Sequence, residues 1–230
     1  GDLGAHRTFY QWNDLLRERK NIQRDHDANR LPWISFKPPV RELGIWKKIA
    51  RGAYDADIRA RARHYAQFSK PVIVTFNHEP QTDVPALGTG PEFAAAWCRI
   101  HDVMEAETGL KNVVSAPIIG EWVFDPINQR HDPEEYALPD LLDRCHLFGI
   151  DVYQTKTNET YVERVARVAK WLDDQGHSRK MIGIAETGAA NGVGTMSSDA
   201  WWKKSWGWVA QNTHRVSVVC YFDLVAPNGL

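Results

Sequence analysis

Pro71-Val72-Ile73-Val74-Thr75-Phe76-Asn77-His78-Glu79-Pro80 is an apolar run that breaks abruptly into polar side chains and then a proline. Such a run suits a strand buried on both faces, and Pro80 cannot continue a hydrogen-bonded ladder. Comparable runs recur at His6–Trp12, Pro32–Lys37, Asn112–Ile118, His146–Tyr153, Met181–Glu186 and Arg215–Asp223. Helical patterns lie between them, among them Asp57–Phe68, Glu92–Glu107, Thr160–Asp174 and Asp199–Asn212. Pro91 falls where a first helical residue would, and Gly109 follows the same segment as a C-terminal stop. Short Val- and Ile-rich strands separated by helices predict a parallel sheet covered on both faces.

Counting Val72–Asn77, seven strands are visible, one short of a closed eight-stranded barrel. The chain enters the first of them after only five residues. Two arrangements fit: a barrel whose first strand and helix lie upstream of Gly1, or an open doubly wound sheet. The open sheet predicts a glycine-rich phosphate turn after an early strand. His6–Trp12 leads instead to Asn13-Asp14-Leu15, and no GxGxxG occurs in the chain. The expectation is therefore one α/β domain over residues 1–230, a (β/α)8 TIM barrel with its first strand and helix upstream.

The composition narrows the partners. A formal net charge of −1 over 230 residues lacks the basic excess that nucleic acid or an anionic membrane surface demands. No stretch approaches the roughly 20 apolar residues a bilayer requires, and the start of the chain carries no signal-peptide pattern. A monomer is expected. Cys98, Cys145 and Cys220 have neither zinc-site spacing nor disulfide density, so buried thiols are expected, with a Cys145–Cys220 bridge left open. Ten tryptophans are more than packing alone usually demands, and indole faces stack well on sugars.

Polar residues gather where the strands end: Asn77-His78-Glu79, then Asp151-Val152-Tyr153, then Ala185-Glu186-Thr187-Gly188. Active sites of parallel barrels form at that rim. Two glutamates that end separate buried strands would face one cleft, where an unpaired carboxylate is costly to desolvate. Glycosidic cleavage with retention needs two such groups about 5–5.5 Å apart, one protonated and one ionised. A charged neighbour favours proton retention on one member of such a pair.

The Asn77-His78-Glu79-Pro80 and Ile184-Ala185-Glu186-Thr187-Gly188 segments resemble the acid/base and nucleophile strands of the retaining clan A glycoside hydrolases. In that clan those groups end strands four and seven, which one upstream strand would make of the third and sixth visible here. Histidine before the acid/base is similar to family 26, mostly β-mannanases with some mixed-linkage glucanases and xylanases. Gly149-Ile150-Asp151-Val152-Tyr153 resembles that family's sixth strand, whose tyrosine hydrogen-bonds the nucleophile. The resemblance implies Glu79 as acid/base, Glu186 as nucleophile, His78 as a sugar-binding or positioning neighbour, and Tyr153 as the partner of Glu186; Asn77, beside them at the strand end, is a further substrate-binding candidate. It implies an extracellular retaining endo-β-glycanase without a cofactor, acting on β-mannan first, then mixed-linkage glucan or xylan. The chain departs from the family at Thr75, where an arginine is usual, at Pro80-Gln81-Thr82-Asp83, and at Tyr221-Phe222-Asp223. Those departures touch substrate recognition rather than the two glutamates. They also motivate the rival expectation, a carbohydrate-binding barrel without catalysis, and a third, hydrolysis of β-galactan or β-1,3-glucan.

Further substrate-binding candidates are Lys37, Asp223, Trp12 and Trp122, each at or just beyond a strand end. Trp201, Trp202, Trp206 and Trp208 have the spacing of a helix packed on the sheet. His131-Asp132-Pro133-Glu134 reads as a helix N-cap, and no metal site is expected. His64, His101, His177 and His214 read as surface residues of helices or loops.

Overall fold

A computed structural model describes residues 4–154, 159–189 and 198–221. The strands are β1 (Ala5–Tyr10), β2 (Leu31–Phe36), β3 (Val72–Phe76), β4 (Val113–Ser115), β5 (Ile118–Gly120), β6 (Phe148–Gln154), β7 (Ile182–Ala189) and β8 (Val216–Tyr221). The helices are α1 (Leu15–Asp27), α2 (Ile45–Ala50), α3 (Asp55–Tyr65), α4 (Gly90–Thr108), α5 (Pro133–Tyr136), α6 (Pro139–Arg144), α7 (Tyr161–Asp174) and α8 (Ser198–Gln211). All recorded pairings are parallel, in the orders β1-β2-β3-β4 and β5-β6-β7-β8. The result is an α/β barrel.

The segment Asn112–Ile118, expected as one strand, is two. Pro117 has no N–H to donate, so the ladder stops after Ser115 and resumes at Ile118. β4 serves β3 and β5 serves β6, which carries the sheet across the break. The sheet curls until β1 and β8 come within 8 Å, Cα to Cα, although no ladder joins them among the described residues.

Alternation along the strands produces two cores. Ile34, Phe36, Val74, Phe76, Ile150, Val152, Ile182 and Ile184 belong to the large apolar cluster shared with the helices. Trp33, Ile73, Ala116, Ile118, Leu147, Ala185 and Cys220 form a second, smaller one. Trp33 occupies its centre: Cβ atoms at Gly149 and Gly183 would lie 3.2 and 2.7 Å from its ring.

The helix ends match local chemistry. Thr89 and Glu92 close a capping box on α4, and Gly109 ends that helix in the left-handed conformation, φ 61°. Thr160 and Glu163 cap α7 in the same way. Asp132 caps α5 through the Glu134 N–H at 2.9 Å. All three cysteines are free thiols, Cys145 and Cys220 buried and Cys98 half-buried.

Two expectations about side chains are corrected. Trp33 and Trp46 are fully buried, and Trp97 and Trp201 nearly so, so packing absorbs many of the tryptophans. Trp201 lies in the core, whereas Trp206 on the same helix is half exposed. His64 and His101 are buried, not surface residues, because both rings pack on aromatic neighbours.

Candidate active site

Arg7 lies on β1, Thr75 on β3 and Asp151 on β6. The Trp33 indole N–H donates to Thr75 Oγ1 (2.9 Å), whose hydroxyl donates to the Ala116 carbonyl (2.7 Å). Thr75 is thereby committed within the barrel. Arg7 is buried, with its side chain 4% exposed, and its Nη1 lies 2.9 Å from both Asp151 Oδ1 and Glu186 Oε1.

Glu186 owes its place to an irregularity in the ladder. Ile150 pairs with Ile184, but Asp151 pairs with Glu186, so β7 carries one extra residue there. Simple alternation would set Glu186 on the outer face with Ile182 and Ile184. An extra residue re-aims the chain, and Glu186 reaches Arg7 instead. Its second oxygen accepts from the Tyr153 hydroxyl at 2.6 Å. Burial and that bond push the Tyr153 phenol upward. Asp151 is buried as well. Burial pulls its carboxyl above the usual range, Arg7 opposes, and the charges of Glu186 and Glu79 add to the rise.

Glu79 lies just past β3, where the chain turns sharply. Asn77 and Glu79 both adopt positive φ, 44° and 50°, a conformation costly for any residue but glycine. The Glu79 N–H donates to the Ile118 carbonyl at 2.9 Å, which anchors the turn on β5. Burial raises the Glu79 carboxyl above its ordinary pKa, and Glu186 raises it further, against Arg7 and Lys37. Each of the two glutamates thus lies in the other's field. His78, packed edge-on against Phe9 at 5.2 Å, is pushed down to about 2 by burial, Arg7 and Lys37. It is a neutral ring at any ordinary pH.

The other expected residues divide. Lys37 sits 3.7 Å from Asp83 Oδ2, partly exposed, with its charge felt at Glu79 and His78. Trp122 is 38% exposed and braced edge-on by His131 at 5.4 Å. Asn77, expected to meet sugar, is fully buried: it accepts from Trp46 Nε1 at 3.3 Å and donates to Asp83 at 2.9 Å. It holds the turn from behind. Trp12, expected to stack on sugar, is core, enclosed by Phe36, Tyr54 and Phe76, with its N–H on Asp57 at 3.2 Å. β1 ends at Tyr10, so Trp12 turns under the helices and not toward the rim. Asp223 lies outside the described residues.

Sequence reasoning missed Arg7, and it left Asp151 and Gln81 without a role. A signal existed for the first: an arginine inside an otherwise apolar or uncharged strand needs a buried acid. Gln81 had none, since a glutamine after Glu-Pro looks like any loop residue. Among the described residues, His101, Asp102 and Glu105 of α4 could offer three ligand atoms within 4.8 Å of one another. Asp102, however, is taken by Arg144 at 2.7 and 3.3 Å.

No family model and no curated protein matches the chain. Solved structures do. GH26C from Muricauda sp. MAR_2010_75 aligns over 91% of this chain and 64% of its own, with 12% identity and a TM-score of 0.64. A GH26 β-mannanase from Bacteroides ovatus aligns over 90% and 64%, with 17% identity and a TM-score of 0.58. A GH128 endo-β-1,3-glucanase from Sorangium cellulosum aligns over 100% and 90%, with 12% identity and a TM-score of 0.60. The fold is the barrel of these glycoside hydrolases. At such identities the likeness is one of fold, and the chain spans 64% of the length of the first two.

Proposed function

We propose that this protein is a retaining endo-β-glycanase, with β-mannan as first substrate and mixed-linkage glucan or xylan next. The observation that carries the reading is the unequal setting of two neighbouring carboxyls. Glu186 has Arg7 on one oxygen and Tyr153 on the other, whereas Glu79 has burial and a nearby negative charge that favour keeping its proton. Unequal environments for two acids are how one site assigns a nucleophile and an acid.

In this reading Glu186 attacks the anomeric carbon while Glu79 protonates the departing glycosidic oxygen. The C1–O bond breaks as the C1–Oε bond forms, and Glu79 is left anionic. Glu79 then takes a proton from water, which displaces Glu186 from C1 and restores both groups. Each carboxylate oxygen has two lone-pair directions, so an oxygen already bonded to Arg7 or Tyr153 still has one for attack. No step calls on a cofactor. A polymer of this kind is met outside the cell, which makes an extracellular working place part of the proposal.

β-1,3-Glucan is the second substrate reading. It is favoured by the endo-β-1,3-glucanase whose length this chain covers to 90%. The test is a panel of β-mannan, mixed-linkage glucan, xylan and β-1,3-glucan, with the first-formed reducing end followed by proton NMR. The β anomer should appear first. Glu79→Ala should lose about 10²–10⁴ of the rate, and Glu186→Ala should lose hydrolysis entirely. An α anomer first, or wild-type rates in both variants, would overturn the mechanism.

A further inference from the structure

Gln81 follows Glu79 by two residues, in the short 3₁₀ turn Pro80–Thr82. It is 2% exposed, and neither its amide nitrogen nor its oxygen has a hydrogen-bond partner among the described residues. Leaving a buried polar group unmatched is costly, and such exceptions in native proteins call for an explanation. The surroundings supply one. A Cβ built on Gly120 would lie 2.5 Å from Gln81 Nε2, 2.6 Å from Trp122 Nε1 and 3.0 Å from Glu79 Oε1. The amide of Gln81, the indole N–H of Trp122 and the carboxyl of Glu79 therefore share the space over one glycine, and any side chain at 120 would occupy it.

We propose that Gln81, assisted by the Trp122 N–H, is the positioning residue that serves Glu79 in both of its protonation states. The proposal rests on the acid/base role assigned to Glu79 above. As an acid, Glu79 has an O–H that needs an acceptor near it when no substrate oxygen is present. As an anion, after giving up its proton, it needs donors. An amide carries one of each on a single rotatable group, so turning it end for end meets both demands. A charged side chain, or the donor-only indole N–H of Trp122 alone, would favour one state at the expense of the other. The two atoms of Gln81 left without partners are then the two that Glu79 uses in turn. The charged groups facing Glu79 are Glu186 from β7, Asp151 from β6, Arg7 from β1, Lys37 beyond β2, and Asp83 beyond the 3₁₀ turn. None of them is an uncharged group able to change sense with the proton.

The test compares Gln81→Leu, Gln81→Glu and Trp122→Phe with the wild type by carbon NMR titration of the Glu79 carboxyl and by the pH dependence of kcat/KM. Losing donors to the anion should raise the Glu79 pKa by about one unit in Gln81→Leu. Trp122→Phe should move it less, and Gln81→Glu more, because a second carboxyl adds repulsion. Oligosaccharide turnover should fall about tenfold in kcat with KM little changed. A dinitrophenyl glycoside, whose leaving group needs no proton, should keep the wild-type kcat/KM, which reports the first step, whereas its kcat should fall because Glu79 must still act as base in the second. An unmoved Glu79 titration, or a loss confined to KM as for a simple sugar contact, would overturn the proposal. The titration needs no turnover, so a wild type that hydrolyses nothing would refute the glycanase reading and leave this one to be judged by NMR.

Discussion

Glu79 and Glu186 are the same side chain in two settings, and the groups within reach of each separate their roles. The lever on Glu79 that is easiest to remove is Lys37, whose positive charge favours the carboxylate and holds its pKa down against burial and Glu186. Removing that charge lets the pKa rise, so the acid keeps its proton to higher pH. Lys37→Met is therefore expected to move the alkaline limb of kcat/KM upward by a few tenths to about one unit. A pH–rate profile at low ionic strength checks it, and a downward shift would contradict the assignment of that limb to Glu79. His78 cannot supply the limb, since it is already neutral throughout the working range.

Elements carry a different kind of constraint. β6 and β7 bring Gly149 and Gly183 against the Trp33 ring, with Leu147 also beside Gly183. A methyl at 183 would meet Trp33 Cη2 at 2.7 Å and Leu147 Cδ2 at 2.8 Å, so Gly183→Ala overpacks the barrel interior. A loss of about 1–3 kcal/mol is expected, read as a lower denaturant midpoint at unchanged slope. Gly207, with nothing within 4 Å of its added methyl, is the matched control. It lies within α8, and there alanine should be neutral or stabilising. The helix boundaries were legible at this scale because capping is local: Thr89-Gly90-Pro91-Glu92 and Gly109 delimit α4 in sequence as they do in space. The break at Pro117 was legible in principle, since proline withholds an N–H wherever it stands. Val113-Val114 and Ile118 on either side of it nevertheless read as one apolar run.

Across the whole molecule, Arg7 is the tie. It sits on β1, yet it bonds β6 through Asp151 and β7 through Glu186, reaching past the gap where β1 and β8 approach with no ladder between them among the described residues. Arg7→Met would leave the buried Asp151 and the partly buried Glu186 beside each other without the cation that now bridges them. A loss of about 3–5 kcal/mol is expected, together with loss of hydrolysis. Thermal unfolding on a pH series checks the cause. Burial already raises the Asp151 carboxyl in the folded state, and losing Arg7 raises it further. A folded pKa above the unfolded one makes stability fall as pH climbs from the unfolded value to the folded one. The variant's deficit should therefore widen upward from about pH 4. A deficit independent of pH would mean lost packing and not unpaired charge.

Strand and helix alternation, the barrel class, several helix ends and the two acids at strand ends were legible along the chain. Each of those follows from periodicity or from chemistry within a few residues. Tertiary structure alone decided which side chains meet. Glu186 reaches the cleft through one extra residue in the β6–β7 register, and Trp12 is lost to the core because β1 ends two residues sooner than its pattern suggests. Arg7, Asp151 and Gln81 acquire meaning only from partners far away in sequence or, for Gln81, from the lack of one. A one-residue shift reverses the face of every side chain that follows it, and buried charge must be balanced by whatever the fold brings near. Neither is visible to a reading confined to neighbours along the chain.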